Sequence, residues 1–397
     1  MADLSLKASR KTVSRAAAGA SASSRGAAEA GLAAAAGSVW PPDQTVRFTV
    51  AMRSRAHTVK GQGVGACYDE QVRAVKRGLA GVDIKENKLG QADIVHYHTI
   101  NPRFLFERLL TRRRRVGIAY VHFLPETLEE SLRLPRLVRA ALNRYLLFFY
   151  NSMDYLVTVN PSFIEKMRGY DLDRPQLACI PNFVSAEPFA NVDPRQVALA
   201  RRRFGLGADD FVVLGVGQLQ TRKGVVDFVE TARRLPHVQF IWAGGFSFGR
   251  LSGGYDEIRD LMNRLPDNVH FIGLVERDDM PLIYHLADLM FLPSFDELFP
   301  MAILEAQCCR KPVLLRDIPV YESILAGYYL RGDGPESFAA EIARLVGDPD
   351  LYQQWSDRSD AAHRLYSEAN AVAQWERLYK EAYAQRGCRQ QTRGTAK

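Results

Sequence analysis

Two glutamates in one short segment have the type and spacing to bind a sugar-like ligand. Glu297 and Glu305 stand eight positions apart in SFDELFPMAILEAQ, residues 294–307. Pro300 suits the first position of a helix, because its missing N–H costs nothing there. Glu297 then lies in the loop before that helix, and Glu305 about 7.5 Å along the helix axis from its start. Since a carboxylate accepts two O–H bonds, the pair can hold two hydroxyl-bearing parts of one extended ligand.

Positive groups that suit a phosphate also follow a predicted strand. Arg222 and Lys223 come after the strand-like run DFVVLGVG and precede a helical pattern. Adjacent cations in this position suit a diphosphate, whose charge is spread over several oxygens. The N–H groups of Met301 and Ala302, at the start of the helix after Pro300, offer a second anion site. A solvated charge pair at a turn is the alternative interpretation of the two cations.

Two glycine-rich loops and one histidine occupy similar positions after strands. In KGQGVG, Gly63 and Gly65 let backbone N–H groups approach a ligand closely, ahead of a helix whose N-terminus favours an anion. GGFSFGRLSGG, which contains Gly245, offers the same close approach. His122 ends the strand-like run VGIAYVH, where it can donate or accept a hydrogen bond at a cleft. Taken singly, these features are also explained by flexible turns and a buried structural histidine.

The elements that must position these loops alternate between strand and helix from residue 45 onward. Buried-type strands are predicted at 45–51, 92–98, 116–122, 154–159, 176–181, 210–217, 238–244, 268–273, 288–293 and 312–317. Alternation of this kind gives parallel sheets covered on both faces, with ligands beyond the carboxyl ends of the strands. We therefore expect an α/β fold with two Rossmann-like, doubly wound domains facing a cleft. The expected divisions are a disordered tail (1–43), an N-terminal domain (44–190), a C-terminal domain (207–365) and a final helix (366–386).

Composition excludes several classes of protein. With 397 residues, 47% hydrophobic and 24% charged, the chain is typical of a soluble globular protein of two or three domains. No apolar run approaches the roughly 20 residues of a membrane-spanning helix. The five cysteines show no CxxC spacing, so neither a disulfide framework nor a zinc site is indicated, and a reducing cytoplasm fits. The first forty residues are rich in Ala, Ser and Gly, which is typical of a disordered tail.

The net charge of +7 is concentrated in residues 101–150, which hold ten arginines and four glutamates. Within 132–150, four arginines fall within about 140° of one helix circumference, and leucines and aromatic residues fill the rest. Together with the basic segment 103–115, this pattern favours contact with an anionic membrane surface. A core-facing helix with a solvated arginine stripe is the alternative. RNA binding is disfavoured, because no nucleic-acid-binding module is recognisable.

At this level of detail the chain resembles a known enzyme family. Glu297-x7-Glu305 resembles the E-x7-E motif of retaining glycosyltransferases with the GT-B fold, and GVGQLQTRKGVVDFV resembles their phosphate loop, G-R-L-x-x-x-K-G. The motifs occur in the family's order, and the resemblance covers roughly residues 45–385. It implies the GT-B architecture, with a C-terminal helix that crosses back to the N-terminal domain. GQLQTRKGV, FIWAGGFSFG and ELFPMAILEA resemble, more narrowly, bacterial glycosyltransferases that extend glycosyl-diacylglycerol.

The resemblance implies a role for each candidate residue. Lys223 would contact the donor diphosphate, Glu297 the transferred sugar and Glu305 the nucleotide ribose. His122 would lie near the donor sugar, which makes His122, Lys223 and Glu297 the expected catalytic residues. The backbone from Phe271 to Leu274 would meet the base. The expected donor-binding residues are Gly63, Gly65, Arg222, Gly245, Ile272, Met301 and Glu305.

Two positions depart from the family pattern. Gln218 stands where the family has an arginine, so Arg222 is the candidate to supply that charge. The family's EGFG is ELFP here, and Pro300 removes one N–H near the pyrophosphate. No DxD motif follows a suitable strand, so we expect no catalytic metal and no cofactor, with a UDP-sugar as substrate.

The resemblance predicts a retaining glycosyltransferase that moves galactose or glucose from a nucleotide-sugar, with UDP as the expected nucleotide, to a membrane glycolipid such as glucosyl-diacylglycerol. The expected partners are this donor, a lipid-linked acceptor and an anionic membrane surface, but no nucleic acid. The expected location is the cytoplasm, peripherally on the inner face of the cell membrane. Three alternatives stay open: transfer to a soluble glycan or polysaccharide, a non-catalytic subunit that binds sugar-nucleotides, and a nucleotide-sugar epimerase of the same architecture.

Overall fold

The structure is a computed structural model that describes residues 47–56, 63–88, 90–126, 135–172, 174–246, 249 and 253–394. The predicted tail, residues 1–43, lies outside the described residues. So do residues 57–62, which include the start of the first glycine-rich loop, and Arg133 of the basic segment.

The first half of the chain forms a six-stranded parallel sheet. Its strands are β1 (Phe48–Arg53), β2 (Val82–Glu86), β3 (Ile94–Tyr97), β4 (Val116–Val121), β5 (Tyr155–Thr158) and β6 (Gln176–Cys179). They lie in the order β2-β1-β3-β4-β5-β6, and every neighbouring pair is parallel. The helices that follow β1, β3, β4 and β5 are α1 (Gly63–Gly78), α2 (Pro102–Thr111), α3 (Arg136–Asn151) and α4 (Pro161–Arg168). Because the central strand β4 is buried on both faces, it is apolar along its whole length.

The second half repeats this design. Two short helices, α5 (Glu187–Ala190) and α6 (Pro194–Arg203), lead into it. Its strands are β7 (Val212–Val216), β8 (Gln239–Ala243), β9 (Val269–Gly273), β10 (Leu289–Leu292), β11 (Val313–Arg316) and β12 (Leu330–Gly332). Its helices are α7 (Val225–Arg233), α8 (Tyr255–Met262), α9 (Met280–Leu286), α10 (Met301–Cys308), α11 (Pro319–Leu325) and α12 (Pro335–Gly347). The parallel order β12-β11-β10-β7-β8-β9 changes direction between β7 and β10, where open α/β sheets bind ligands.

The C-terminal helices return to the first sheet. A break at Tyr366 separates α13 (Pro349–Leu365) from α14 (Glu368–Gly394). Tyr383 of α14 stacks on Phe48 of β1 with ring centroids 5.0 Å apart, and the Tyr379 hydroxyl lies 2.8 Å from Nδ1 of His96 in β3. Two doubly wound sheets and a helix that crosses back confirm the predicted fold class.

Local details differ from the sequence-based predictions. The edge strands β2 and β12 were not predicted, since both are short and partly exposed and so lack a continuous apolar run. Gly63 and Gly65, expected in a loop, belong to the first turn of α1. Pro300 has an extended backbone and immediately precedes α10 instead of occupying its first position.

Candidate functional site

The predicted phosphate loop forms a tight turn against the end of β10. After β7, Thr221–Lys223 make one turn of 3₁₀-helix, and Gly224 follows with a φ of 70°. A Cβ atom on Gly224 would lie 2.2 Å from the carbonyl oxygen of Pro293, so only glycine allows this approach. The N–H of Phe295 donates to the carbonyl of Arg222 at 2.8 Å. The loops after β7 and β10 are therefore joined at the point where the strand order reverses.

Lys223 and Glu297 meet in this junction. Nζ of Lys223 contacts Oε1 of Glu297, and Nη1 of Arg222 lies 3.6 Å from Oε2 of the same carboxylate. Arg222 also donates to the carbonyl of Asp296. All three charged side chains are largely withdrawn from solvent. The two predicted catalytic groups of this half thus share one site, together with the candidate second cation.

The electrostatics of this cluster keep the carboxyl ionised at neutral pH. Burial alone would raise the pKa of Glu297, but the charges of Lys223 and Arg222 outweigh it, so the pKa lies below the ordinary value. Burial lowers the pKa of Lys223, an effect that its pairing with Glu297 opposes. A group of two cations and one anion can accept a diphosphate once the cations exchange their partner.

Glu305 is buried in α10 and is held by two partners. Nη1 of Arg277 donates to Oε1 at 2.7 Å, and the Tyr284 hydroxyl donates to Oε2 at 2.7 Å. Since each carboxylate oxygen can accept two hydrogen bonds, one acceptor position remains on each oxygen. Met301, at the start of the same helix, is also buried.

Gly245 and Ile272 lie toward the β9 edge of the second sheet. The carbonyl of Gly245, just after β8, accepts from the N–H of Leu219 at 3.0 Å. A Cβ atom on Gly245 would lie 3.2 Å from Cγ of Leu274, whose side chain is 54% exposed. Ile272 is half-buried in β9. These residues line the carboxyl ends of β8 and β9, next to the Arg277 turn.

His122 lies apart from these groups, in an aromatic cluster of the first half. Its ring centroid is 4.6 Å from that of Tyr120 and 6.1 Å from that of His98. Nε2 of His122 is buried and has no hydrogen-bond partner among the described residues, and burial lowers the pKa of this ring to about 3. The ring is therefore neutral at physiological pH and can act only as a hydrogen-bonding group there.

Two buried asparagines, missed in the sequence, connect the first half to the Glu297 loop. Nδ2 of Asn182 donates to the carbonyl of Phe299 at 2.9 Å, and Nδ2 of Asn160 donates to that of Leu298 at 3.0 Å. The Tyr120 hydroxyl donates to Oδ1 of Asn182 at 3.2 Å, which completes a path from the histidine cluster to this loop. Both asparagines stand in the loops just after strands, Asn160 two residues after the end of β5 and Asn182 three after the end of β6, which is the signal that could have identified them.

Comparison with known proteins agrees with this geometry. Residues 197–361 match the family "Glycosyl transferases group 1", and residues 73–188 match "Glycosyltransferase Family 4". The chain is 38% identical over 339 residues to the alpha-galactosylglucosyldiacylglycerol synthase of Streptococcus pneumoniae, covering 85% of this chain and 91% of that protein. The chain belongs to the group 1 glycosyltransferases.

Other relatives of this glycosyltransferase share its architecture at lower identity. It is 26% identical to the processive diacylglycerol alpha-glucosyltransferase of Acholeplasma laidlawii, over 72% of this chain and 85% of that one. Sucrose-phosphate synthase from Thermosynechococcus elongatus superimposes with a TM-score of 0.70 at 17% identity, over 85% of this chain and all of that chain. The latter likeness concerns the fold, which is GT-B.

The basic segments of this glycosyltransferase are only partly a surface feature. Arg108, counted among the cations of 103–115, is buried and donates to Asp154 at 2.8 Å and to the Ser152 carbonyl at 2.8 Å. A Cβ atom on Gly117 would lie 2.7 Å from Nε of Arg108, so glycine makes room for it. Arg108 therefore does not add to the surface charge of this segment, because it pairs with the largely buried Asp154.

The remaining part of these segments is strongly exposed. Among the described residues, six of the ten large apolar side chains that are most exposed lie on α2 or α3: Phe106, Leu109, Leu110, Leu137, Val138 and Phe148. Exposed arginines lie among them at Arg103, Arg136 and Arg144. The two helices are neighbours on one face of the sheet, where the Tyr145 hydroxyl donates to the Ile100 carbonyl at 2.7 Å. We refer to these nine side chains as the basic–apolar surface.

Two kinds of feature are absent from the described residues. No helix there combines the length and apolar character needed to cross a bilayer. No set of three His, Cys, Asp or Glu side chains in those ranges is arranged to hold a metal ion.

Proposed function

We propose that this glycosyltransferase moves a hexose, galactose or glucose, from a nucleotide-sugar to a membrane glycolipid with retention of anomeric configuration. UDP is the proposed nucleotide, and glucosyl-diacylglycerol is the proposed type of acceptor. The observation that carries the proposal is the contact between Lys223 and Glu297 beside Arg222, at the reversal of strand order. This arrangement supplies opposite charges for the two ends of a sugar diphosphate.

The leaving group is the part of the donor that these cations serve. As the bond to the diphosphate breaks, negative charge grows on its oxygens, and Lys223 and Arg222 stabilise that charge. The N–H groups at the start of α10, beginning at Met301, also stabilise this negative charge. Glu297 accepts hydrogen bonds from the sugar hydroxyls, while Glu305 accepts those of the ribose. His122, neutral and unpartnered at Nε2, provides a hydrogen bond to the transferred sugar.

A glycolipid acceptor is supported by the names of the two relatives, both of which act on diacylglycerol lipids. The basic–apolar surface supports it independently. Leu137 is 86% exposed and Phe106 66% exposed, which is costly in water and favourable at the interface of a bilayer. Arginines between such side chains attract anionic lipid headgroups. We therefore propose a peripheral location on the inner face of the cell membrane.

A screen of donors against acceptors tests this proposal. The full chain is incubated with UDP-galactose, UDP-glucose or UDP-N-acetylglucosamine, and with vesicles that contain diacylglycerol or glucosyl-diacylglycerol. Free glucose and maltose serve as soluble acceptors. We expect a product only with lipid acceptors, with an α-linkage from an α-linked donor by proton NMR. A product formed only on the soluble sugars would overturn the lipid assignment, and an inverted linkage would overturn the retaining mechanism.

A further inference from the structure

Arg277 joins two buried glutamates that belong to different halves of the molecule. It lies in the turn after β9, where Nη1 donates to Oε1 of Glu305 at 2.7 Å and Nη2 donates to Oε1 of Glu70 at 2.9 Å. Glu305 belongs to α10 and Glu70 to α1, and both are almost fully buried. Two buried carboxylates at this separation repel each other unless a cation lies between them. The guanidinium of Arg277 therefore allows α1 and α10 to approach.

Other partners fix both carboxylates in orientation. The Tyr284 hydroxyl binds the second oxygen of Glu305 at 2.7 Å. Nη2 of Arg73 donates to Oε1 of Glu70 at 2.8 Å, and the Ser185 N–H lies 3.4 Å from Oε2. Glu70 is thus held in place within the first half, and Arg277 links Glu305 to this fixed carboxylate.

We propose that Arg277 is a positioning residue for the donor, which holds the Glu305 carboxylate for the ribose hydroxyls and ties its position to Glu70 of α1. The inference rests on the proposed function, which assigns the ribose to Glu305. Because Glu305 keeps one acceptor position on each oxygen, it binds a ribose diol without releasing Arg277 or Tyr284. Loss of Arg277 leaves the carboxylate free to turn away.

This role has a consequence that a general contribution to folding does not have. When Arg277 is removed, a donor nucleotide binds more weakly only if its ribose hydroxyls form hydrogen bonds with Glu305. A nucleotide without the 2′-hydroxyl has already lost part of that interaction. The ratio of the affinities for UDP and for 2′-deoxyuridine diphosphate therefore reports on the position of Glu305, whereas a loss of stability lowers both affinities alike.

Calorimetric titration of the full chain with UDP and with 2′-deoxyuridine diphosphate measures this ratio. We expect the wild-type protein to prefer UDP by about tenfold, the value of one hydrogen bond to a charged group. Arg277→Met should bring the ratio close to one. Glu70→Gln should lower it to an intermediate value, because Arg277 then keeps Glu305, while its bond to α1 is weakened by the loss of the negative charge.

Arg344→Met is the matched control. Arg344 pairs with Glu341 on the exposed face of α12, so the same substitution there should leave the ratio unchanged. An unchanged ratio in Arg277→Met, with UDP still bound, overturns the role of Arg277. An unchanged ratio in Glu70→Gln overturns the tie to α1, and this variant serves if Arg277→Met fails to fold. Failure of the wild-type protein to bind UDP refutes the proposed donor instead, so the two failures are distinguishable.

Discussion

At the scale of residues, two cations and one carboxylate pair with one another at the proposed donor site. Lys223 and Arg222 both face Glu297. A donor must therefore exchange this internal pairing for its own: the diphosphate takes the cations and the sugar hydroxyls take the carboxylate. The internal pairing keeps the three charged groups oriented and buried. The donor must compete with this pairing in order to bind.

Replacing Lys223 with alanine should remove most of the leaving-group stabilisation. We expect kcat to fall by about 10²–10³-fold, the usual effect of removing one preorganised group that stabilises the transition state. Steady-state transfer to lipid acceptor measures it, with circular dichroism to verify folding. Lys380→Ala, which breaks an exposed pair with Glu376, is the control and should retain full activity. Full activity in Lys223→Ala would falsify the phosphate assignment.

Glu297→Gln should separate binding from turnover. Without the negative charge of Glu297, Lys223 and Arg222 lose their anionic partner at this position, so free UDP should bind more tightly. Transfer should nevertheless fall, because the sugar hydroxyls then meet a neutral amide oxygen, which accepts hydrogen bonds more weakly than a carboxylate. Calorimetry with UDP and turnover assays with UDP-hexose measure the two effects. Weaker binding of UDP to this variant would show that Glu297 does not compete for the cations.

At the scale of elements, α2 and α3 carry exposed apolar side chains. Such side chains are unfavourable on a helix that faces only water. Phe106→Ser combined with Leu137→Ser should reduce sedimentation with vesicles rich in phosphatidylglycerol, because both side chains are among the most exposed on this surface. Reversal of charge in Arg136→Glu and Arg144→Glu should have the same effect and should be sensitive to salt. Neither pair should change hydrolysis of the donor in solution.

The control for this surface uses exposed apolar residues elsewhere. Leu199→Ser on α6 with Val346→Ser on α12 removes exposed apolar side chains outside the basic–apolar surface. This pair should sediment with vesicles like the wild-type protein. Equal sedimentation of all the variants would refute the membrane role of α2 and α3.

The strands β3 and β4 bring three histidines together in a buried cluster, which makes the fold sensitive to acid. Burial lowers the pKa of His96 and His122 to about 3 and holds that of His98 well below its ordinary value. Unfolded histidines take up protons below about pH 6.5, whereas the folded cluster does not. Stability is therefore complete above pH 6.5 and falls by about 1.4 kcal/mol per histidine for each pH unit below it.

Thermal unfolding measured at pH 7.5 and at pH 5.5 tests this dependence. The wild-type Tm should fall clearly between the two values. His98→Phe keeps an aromatic ring against Tyr68 and Tyr120 and removes one titrating group, so its fall in Tm should be about one third smaller. An equal fall in both proteins would indicate that His98 is not protonated on unfolding in this range.

At the scale of the whole molecule, the two sheets are joined by the loops that hold the site. Asn160 and Asn182 extend from the ends of β5 and β6 to the carbonyls that follow Glu297, and Arg277 extends from the second half to Glu70. The site is therefore assembled only when both halves are in place. The crossover helix α14 contributes to this by packing its aromatic face on the first sheet.

The sequence predicts the parts of this assembly that depend on local pattern. Buried strands such as β4 are recognisable because each is a continuous apolar run, and Lys223 and Glu297 because they stand in fixed positions after strands. The pairing of Arg277 with Glu70 depends on two residues 207 positions apart, which no local pattern encodes. The burial of Arg108 within the basic segment is not encoded locally either, because its partner Asp154 is distant in sequence.

A crystal structure of the full chain with UDP-hexose is the most direct test of the central claim. We expect the diphosphate within hydrogen-bonding distance of Lys223 and Arg222, the hexose hydroxyls on Glu297 and the ribose hydroxyls on Glu305. A donor bound elsewhere, with Lys223 still paired to Glu297, would contradict it.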